Sequence, residues 1–242
     1  MLVFKKTYIC AVVRQRVSLG FVKFQKKLNM GTICKCPGNA ALPSIPRVTC
    51  AENFGQIQKV AFQRLYKSTG EKNSMTAETI KKKATWTPLL AAADDTKIVI
   101  SPYIYAPTNE AGAARTYGGG NATLGGVEMI IGRDPSTFTG SFLQTPQAVI
   151  KAMKELQCES YGDNLGVYLF AEGGAIEALV DGENAYPIPI RSLFIGDKSH
   201  GGFENPDSNS IQWSFLPNYS DDLAIIIPTD FNPLSDLFIG EE

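Results

Sequence analysis

The sequence predicts a mainly β protein of the α+β class: an antiparallel β-sandwich, or a curved sheet or barrel, with one flanking α-helix at about residues 146–158. Three observations predict it. Residues 211–215 alternate apolar and polar side chains, as a strand with one buried face does. The apolar runs 166–170 and 175–180 flank a glycine-containing turn, which is typical of a hairpin. The clearest helical spacing is at 146–158, whereas strand patterns recur at short intervals.

The composition favours one main domain with an unusually uncharged surface. The chain has 242 residues, of which 44% are hydrophobic and 10% aromatic, enough for one sizeable core. Charged residues make up 19%, below the roughly 25% of an average soluble domain. Because charged residues are depleted from interface cores, this favours a surface that meets other protein molecules. An ordinary neutral β domain would give the same composition.

The charge divides the chain into two parts. Residues 1–29 hold seven of the basic residues and no acidic one: Lys5, Lys6, Arg14, Arg16, Lys23, Lys26 and Lys27. Subtracting these from 23 basic and 24 acidic residues leaves residues 30–242 with a formal charge of −8. We expect residues 30–242 to form a single β-rich domain. Its negative charge argues against a surface that binds nucleic acid.

Three interpretations of residues 1–29 stay open. They are a secretory signal, although Arg14 and Arg16 interrupt the apolar run; a basic arm that touches nucleic acid or an acidic partner; or an extension upstream of a natural start at Met30. No apolar stretch approaches the ~20 residues that cross a bilayer, so we expect no membrane partner. Five cysteines form no even framework, and Cys34-Lys35-Cys36 has too short a spacer for a zinc knuckle. We therefore expect no metal and no cofactor.

The first third of the domain begins with an extended segment. Prolines and glycines make residues 31–50 irregular, and we expect them to lie on a surface or reach a neighbour. Residues 56–66 predict a strand packed on both sides. The polar stretch 67–83 predicts a long solvated loop, 86–93 a short helix, and 97–100 a β-branched strand.

The middle third combines a glycine-rich stretch with the predicted helix. Residues 109–126 hold few large apolar side chains, which predicts a long loop that is flexible or shaped by its glycines. It leads into 127–131, a predicted buried strand, and a turn at 134–136. For the helix, Thr145 is the expected cap and Pro146 the first helical residue. Its apolar face consists of Val149, Ile150, Met153 and Leu156, so we expect it to lie on a sheet.

The last third is predicted to be strands, with the hairpin turn at Glu172-Gly173-Gly174 placing glycine where a positive φ is expected. The predicted strands are 166–170, 175–180, 189–195, 211–215 and 223–227.

No residue pattern nominates a catalytic site. His200 is the one histidine, in a loop, and no local nucleophile pattern accompanies it. Adjacent carboxylates fit helix capping and solvation better than cation binding: Asp94-Asp95, Asp221-Asp222 and Glu241-Glu242. The run 118–126 lacks a Gly-Lys-Ser/Thr end and precedes a strand, so it is not a phosphate loop. We expect the matches to the glycosylation pattern at Asn121 and Asn218 to be unmodified.

The order of these elements, a glycine-rich hairpin into 125–131, the helix 146–158, the hairpin 166–180 and the final strands, resembles virion proteins of phages and prophages. It is most similar to the tail tube family over roughly residues 50–235. The similarity lies in the order of the elements and the general character of the sequence, and no short motif carries it.

The resemblance implies a structural, non-enzymatic virion protein, made in the host cytoplasm. Tube subunits form hexameric rings that stack around a channel, joining their sheets into an inner barrel through which DNA passes without specific binding. By the same likeness, segments 36–46 and 67–83 are expected to contact the next ring. The alternatives are a capsid decoration, neck or tail-terminator protein; a carbohydrate-binding module using Tyr103, Tyr105 and Tyr117; and an enzyme of unrecognised type.

Overall fold

The computed structural model describes residues 42, 44–48 and 50–237, and within them the protein is mainly β. The strands are β1 (Ile57–Arg64), β2 (Met75–Thr76), β3 (Ile98–Ile100), β4 (Tyr105–Glu110), β5 (Ala114–Gly118), β6 (Glu128–Arg133), β7 (Ser136–Leu143), β8 (Leu165–Ala171), β9 (Ile176–Asp181), β10 (Asn184–Tyr186), β11 (Ile188–Ser199), β12 (Ser208–Phe215) and β13 (Leu223–Ile226). The helices are α1 (Lys83–Ala91) and α2 (Gln147–Tyr161).

Eleven of these strands form one curled antiparallel sheet, which confirms the predicted fold class. Its main path runs β2-β10-β9-β8-β11-β12-β7-β4; β1 joins β8 to β3, and β13 pairs with β9. The long strand β11 links the two halves, pairing with β8 through Ile188 and Pro189 and with β12 beyond them. A register shift and a positive φ at Ser192 interrupt β11 and bend the sheet there.

Two apolar clusters lie on opposite faces of β1 and β8, because successive side chains of a strand point to opposite faces. Val60 and Val167 belong to the cluster around Trp213, beneath α2. Ala61 and Tyr168 belong to the cluster around Trp86 in α1. All seven residues of β8 are buried, so this strand holds the two clusters together.

The strand predictions for the two ends of the domain are confirmed. β1 is buried on both faces, the 166–180 hairpin pairs Phe170 with Ile176, and Gly174 has a φ of 76°. Ile211, Trp213 and Phe215 share one buried face of β12. The C-terminal strand β13 ends one residue before the predicted Ile227.

The two helices are confirmed, with changed ends. α1 begins three residues before the predicted Trp86 and ends at Ala91. α2 starts at Gln147 with Pro146 as its N-cap and continues to Tyr161. The predicted Thr145 cap is wrong, because its hydroxyl donates to the carbonyl of Leu143 at 3.2 Å.

The prediction of a wholly solvated loop over 67–83 is wrong in its second half. Met75 in β2 and Ile80, in a short 3-10 turn (Thr79–Lys81), are buried in the Trp86 cluster. Isolated apolar residues between polar ones carry no periodic signal, so only packing reveals their burial.

The prediction of one long loop over 109–126 is also wrong. The end of β4, the whole of β5 and two short 3-10 turns lie within it, and neither strand was predicted. Nor was β7, although Phe138 and Phe142 alternate with polar residues. The predicted strand at 127–131 exists as β6, but its side chains are exposed and not buried.

Of the N-terminal segment 31–50, the structure describes only residues 42, 44–48 and 50. Residues 44–48 form neither helix nor strand and are exposed. The basic extension 1–29, the Cys34-Lys35-Cys36 sequence and Glu241-Glu242 lie outside the described residues.

Candidate functional site

The most distinctive surface is a long hairpin that leaves the main sheet. β4 and β7 form its base inside that sheet, and β5 and β6 continue it as a separate two-stranded sheet. We call residues 111–135 the distal hairpin. The distal strands pair with each other and with no other strand of the described chain.

Glycine and an ion pair shape the junction between base and distal hairpin. A Cβ at Gly112 would lie 1.9 Å from the carbonyl oxygen of Asp134, so only glycine permits this approach. The amide of Asp134 donates to the carbonyl of Ala113 at 2.8 Å, and Arg115 pairs with the Asp134 carboxylate. These contacts hold the two chains together where the sheet hydrogen bonds are interrupted.

The tip is built from glycines that adopt positive φ. Gly118, Gly119 and Gly120 have φ of 95°, 97° and 53°, conformations that other residues adopt at a cost. Thr123 closes the turn, accepting the amide of Gly119 at 3.0 Å and donating to the carbonyl of Val127 at 2.6 Å. The glycine run predicted as a loop is thus a tip with defined turns.

The distal hairpin exposes apolar side chains on both of its faces. Tyr117 lies opposite Met129 on one face, and Thr116 opposite Ile130 on the other. Met129, Ile130 and Ile131 are 54%, 54% and 59% exposed. A two-stranded hairpin with no covered face is only marginally stable alone, and clustered exposed apolar residues mark interaction sites. These exposed apolar side chains make the distal hairpin a candidate protein-binding surface.

The main sheet also has open edges within the described residues. β3 pairs only with β1, and β4 only with β7. On β4, Pro107 and the positive φ of Ala106 break the outer edge, a device that limits uncontrolled strand pairing. The distal hairpin, not this edge, is therefore the more open surface.

The residues that the sequence raised as chemical candidates make local contacts in the structure. His200 is exposed in the β11–β12 loop, with Nδ1 3.1 Å from Asp207. Asp94 accepts the amide and hydroxyl of Thr96, and Asp95 accepts the amide of Ser68. These contacts stabilise local turns. Residues 50–237 contain no cluster of three or more potential metal-ligating side chains.

The tyrosines considered for sugar binding do not form one platform. Lys59 Nζ lies 4.1 Å above the ring of Tyr103, so that face is occupied. Tyr105 is in the main sheet, and Tyr117 is in the distal hairpin.

Burial shifts the pKa of Lys59, Tyr168 and Glu177, and it raises that of Tyr168, whose hydroxyl donates to Gln63 Oε1 at 3.2 Å. Burial lowers the pKa of Lys59, whose Nζ donates to the carbonyl of Leu234 at 2.6 Å and so ties the C-terminal segment to β1. Burial raises the pKa of Glu177 in β9. No helix of the described chain has the length and apolarity to cross a membrane.

Comparison with known proteins gives no match to a family model and none to a curated protein. Among similar solved structures is the tail of an empty gene transfer agent (GTA) particle with C6 symmetry, which is 12% identical over 52% of this chain and 82% of that one, with a TM-score of 0.28. The virion of a native GTA particle gives 12% identity, 50% and 83% coverage, and 0.29. The sixfold-symmetrised baseplate of the anti-feeding prophage gives 8% identity, 77% and 99% coverage, and 0.32. The similar structures thus come from tail, virion and baseplate particles, and their similarity to this chain is limited.

Proposed function

We propose that this chain is a structural virion protein of a phage-like tail: a tube subunit that forms rings, stacked around a channel for DNA. The observation that carries the proposal is the distal hairpin, which continues two strands of the main sheet and leaves both faces apolar and exposed. Copies that lay these hairpins side by side would bury the apolar faces and satisfy the open strand edges.

A closed ring suits this geometry. If one face of each hairpin packs against the opposite face of the hairpin in the next copy, the contact is head-to-tail, and head-to-tail contacts close into rings when the rotation permits. A sixfold ring is the number that we propose. The charge of −8 on residues 30–242 favours a channel that repels the phosphate backbone and so lets DNA pass without sticking.

The test is negative-stain electron microscopy with light scattering on the full chain across a concentration series. We expect rings or hollow tubes with a central channel. The double variant Ile130→Asp/Ile131→Asp, which charges both faces of the hairpin, should stay monomeric. Ile227→Asp, an exposed isoleucine outside the hairpin, is the matched control and should assemble normally.

Two results would contradict the proposal. A monomer at every concentration would remove self-assembly, and assembly of the Ile130→Asp/Ile131→Asp variant would show that the hairpin does not carry it. Discs or caps without a continuous channel would place the chain at another position in a virion.

A further inference from the structure

A groove away from the distal hairpin is not explained by ring formation. It has a volume of about 300 Å³ and lies where β1 ends and β9 meets β10. Its apolar wall consists of Leu65, Tyr66, Leu179, Val180, Tyr186, Pro187 and Pro189. The rest is lined by Asn73, by the carboxylates of Asp181 and Asp222, and by the amine of Lys72, which lies 5.2 Å from the centre of the Tyr186 ring. An aromatic and proline wall beside net negative charge suits a proline-rich ligand that carries a cation.

The chain itself contains a segment of this chemistry. Residues 42–47 read Leu-Pro-Ser-Ile-Pro-Arg, with prolines three residues apart followed by an arginine. Leu42, Ile45 and Val48 are 91%, 93% and 81% exposed. A polyproline II helix has three residues per turn, so residues spaced by three lie along one side. In that conformation the segment would present an apolar stripe and a positive end, and Leu42, Ile45, Arg47 and Val48 are all exposed.

We infer that this segment, residues 42–48, docks in the groove of a second copy of the chain. The apolar stripe would pack on Tyr66 and Pro187, and Arg47 would pair with Asp181, with Asp222 adding to the negative charge of the groove. Among residues 50–237 neither carboxylate has an ion-pair partner, so both can accept the guanidinium. A preformed polyproline II helix loses little entropy on binding, which favours recognition of this kind.

The reach of the chain argues for a second copy over the same molecule. Phe54 packs in the core, and the carbonyl of Gln56 accepts the amide of Glu172, so the chain is fixed at that end of β1. The groove begins at Leu65, about 26 Å further along the strand at ~3.3 Å per residue. The seven steps from Phe54 to Arg47 span at most about 25 Å.

An intramolecular contact would thus need a fully extended chain running back along β1. Both edges of β1 are already paired, with β3 and with β8, and its two faces are largely buried. A second copy is free of this limit. The inference rests on the proposed function only in requiring that copies of the chain meet.

The test uses a fluorescently labelled synthetic peptide of residues 41–49 and the full chain carrying Arg47→Glu, whose own segment then competes poorly. Fluorescence anisotropy should show saturable binding. Adding Asp181→Lys to the full chain should weaken it about tenfold, since Asp181 is exposed and its replacement reverses the charge without disturbing the core. A peptide with Arg47→Glu should bind this Asp181→Lys chain more tightly than it binds the chain that retains Asp181.

Glu204→Lys, an exposed carboxylate in the β11–β12 loop, is the matched control and should leave peptide binding unchanged. Absence of saturable binding, or equal binding to the chain that retains Asp181 and to its Asp181→Lys variant, would overturn the inference. Rings that form without peptide binding would overturn docking in the groove and leave the tube proposal standing. Peptide binding by a chain that forms no rings would overturn the tube proposal alone.

Discussion

At the scale of single residues, the two tryptophans are both buried but differ in whether the indole N–H has a hydrogen-bond partner. Trp86 and Trp213 are both buried, each at the centre of one apolar cluster. Trp86 Nε1 donates to the carbonyl of Ile80 at 2.8 Å. Trp213 stacks on Phe138 with ring centroids 3.9 Å apart, but its Nε1 has no hydrogen-bond partner in the described chain. The same substitution therefore has different consequences at the two sites.

We expect Trp86→Phe to destabilise the protein more than Trp213→Phe, by on the order of 1–2 kcal/mol, because only the first breaks a buried hydrogen bond and leaves a carbonyl unpaired. The second removes an unsatisfied N–H, which offsets part of the loss of packing. Urea unfolding of both variants measures the difference in the free energy of unfolding. An equal or larger loss for Trp213→Phe would contradict this account of Nε1.

Lys59 should make stability depend on pH at alkaline values. Burial lowers its pKa in the folded state below the ordinary 10.5 of the unfolded chain. Between these two values the unfolded state binds more protons, so the contribution of Lys59 to the free energy of unfolding rises with pH and levels off above 10.5. We expect Lys59→Met to lose this rise. Unfolding free energies of both proteins from pH 8 upward test it, and parallel curves would contradict it.

At the scale of elements, α2 is joined to the bend in β11 by one hydrogen bond. The register shift in β11 frees the amide of Leu193, and the hydroxyl oxygen of Ser160 in α2 accepts it at 2.9 Å. Both residues are buried. The last turn of the helix thus supplies the partner that the strand ladder does not.

We expect Ser160→Ala to cost about 1–3 kcal/mol, because it leaves a buried amide unpaired. Thr145→Ala, at the other end of α2, is the control. It should cost less than the ~1 kcal/mol typical of a lost N-cap, since Thr145 makes no cap bond. Thermal and urea unfolding compare the two, and a larger effect at Thr145 would show that it caps the helix in solution.

The distal hairpin should respond to Gly112→Ala without a large change in global stability. A Cβ at Gly112 would displace Asp134, whereas one at Gly132 in β6 would meet its nearest atoms at 3.8 Å. We expect Gly112→Ala to speed hydrogen exchange and proteolysis within residues 111–135, and Gly132→Ala to leave them unchanged. Unaltered protection in Gly112→Ala would contradict the tight approach. Global unfolding should shift little, because the hairpin contributes nothing to either cluster.

At the scale of the whole molecule, the two clusters should unfold together. β1 and β8 contribute side chains to both, so neither cluster can open without exposing the strands that support the other. The chain has two tryptophans, one in each cluster, which makes the point measurable. Trp86→Phe reports Trp213 alone, and Trp213→Phe reports Trp86 alone.

We expect the fluorescence transition of each variant to coincide with its own far-ultraviolet circular dichroism transition, as a two-state unfolding requires. A fluorescence midpoint clearly displaced from that of the backbone in either variant would show that the clusters are separate cooperative units.

The sequence by itself determined the fold class and most of its framework. Alternation at Ile211, Trp213 and Phe215, the hairpin around Gly174, and the apolar face of α2 are local patterns, and a local pattern is set by the period of the backbone. The absence of a nominated catalytic residue also came from the sequence. Assembly in a virion, which the resemblance implies, is a proposal.

Only the tertiary structure decided which apolar residues are covered. The run Met129–Ile131 has the composition of a buried strand, yet it lies in a hairpin that no other described element covers. Met75 and Ile80, in a polar stretch, are buried because the Trp86 cluster receives them. Burial depends on what packs against a residue from elsewhere in the chain, and that information is absent from its neighbours in sequence. The exposed hairpin and the groove at Tyr186 are therefore properties that the sequence pattern alone could not predict.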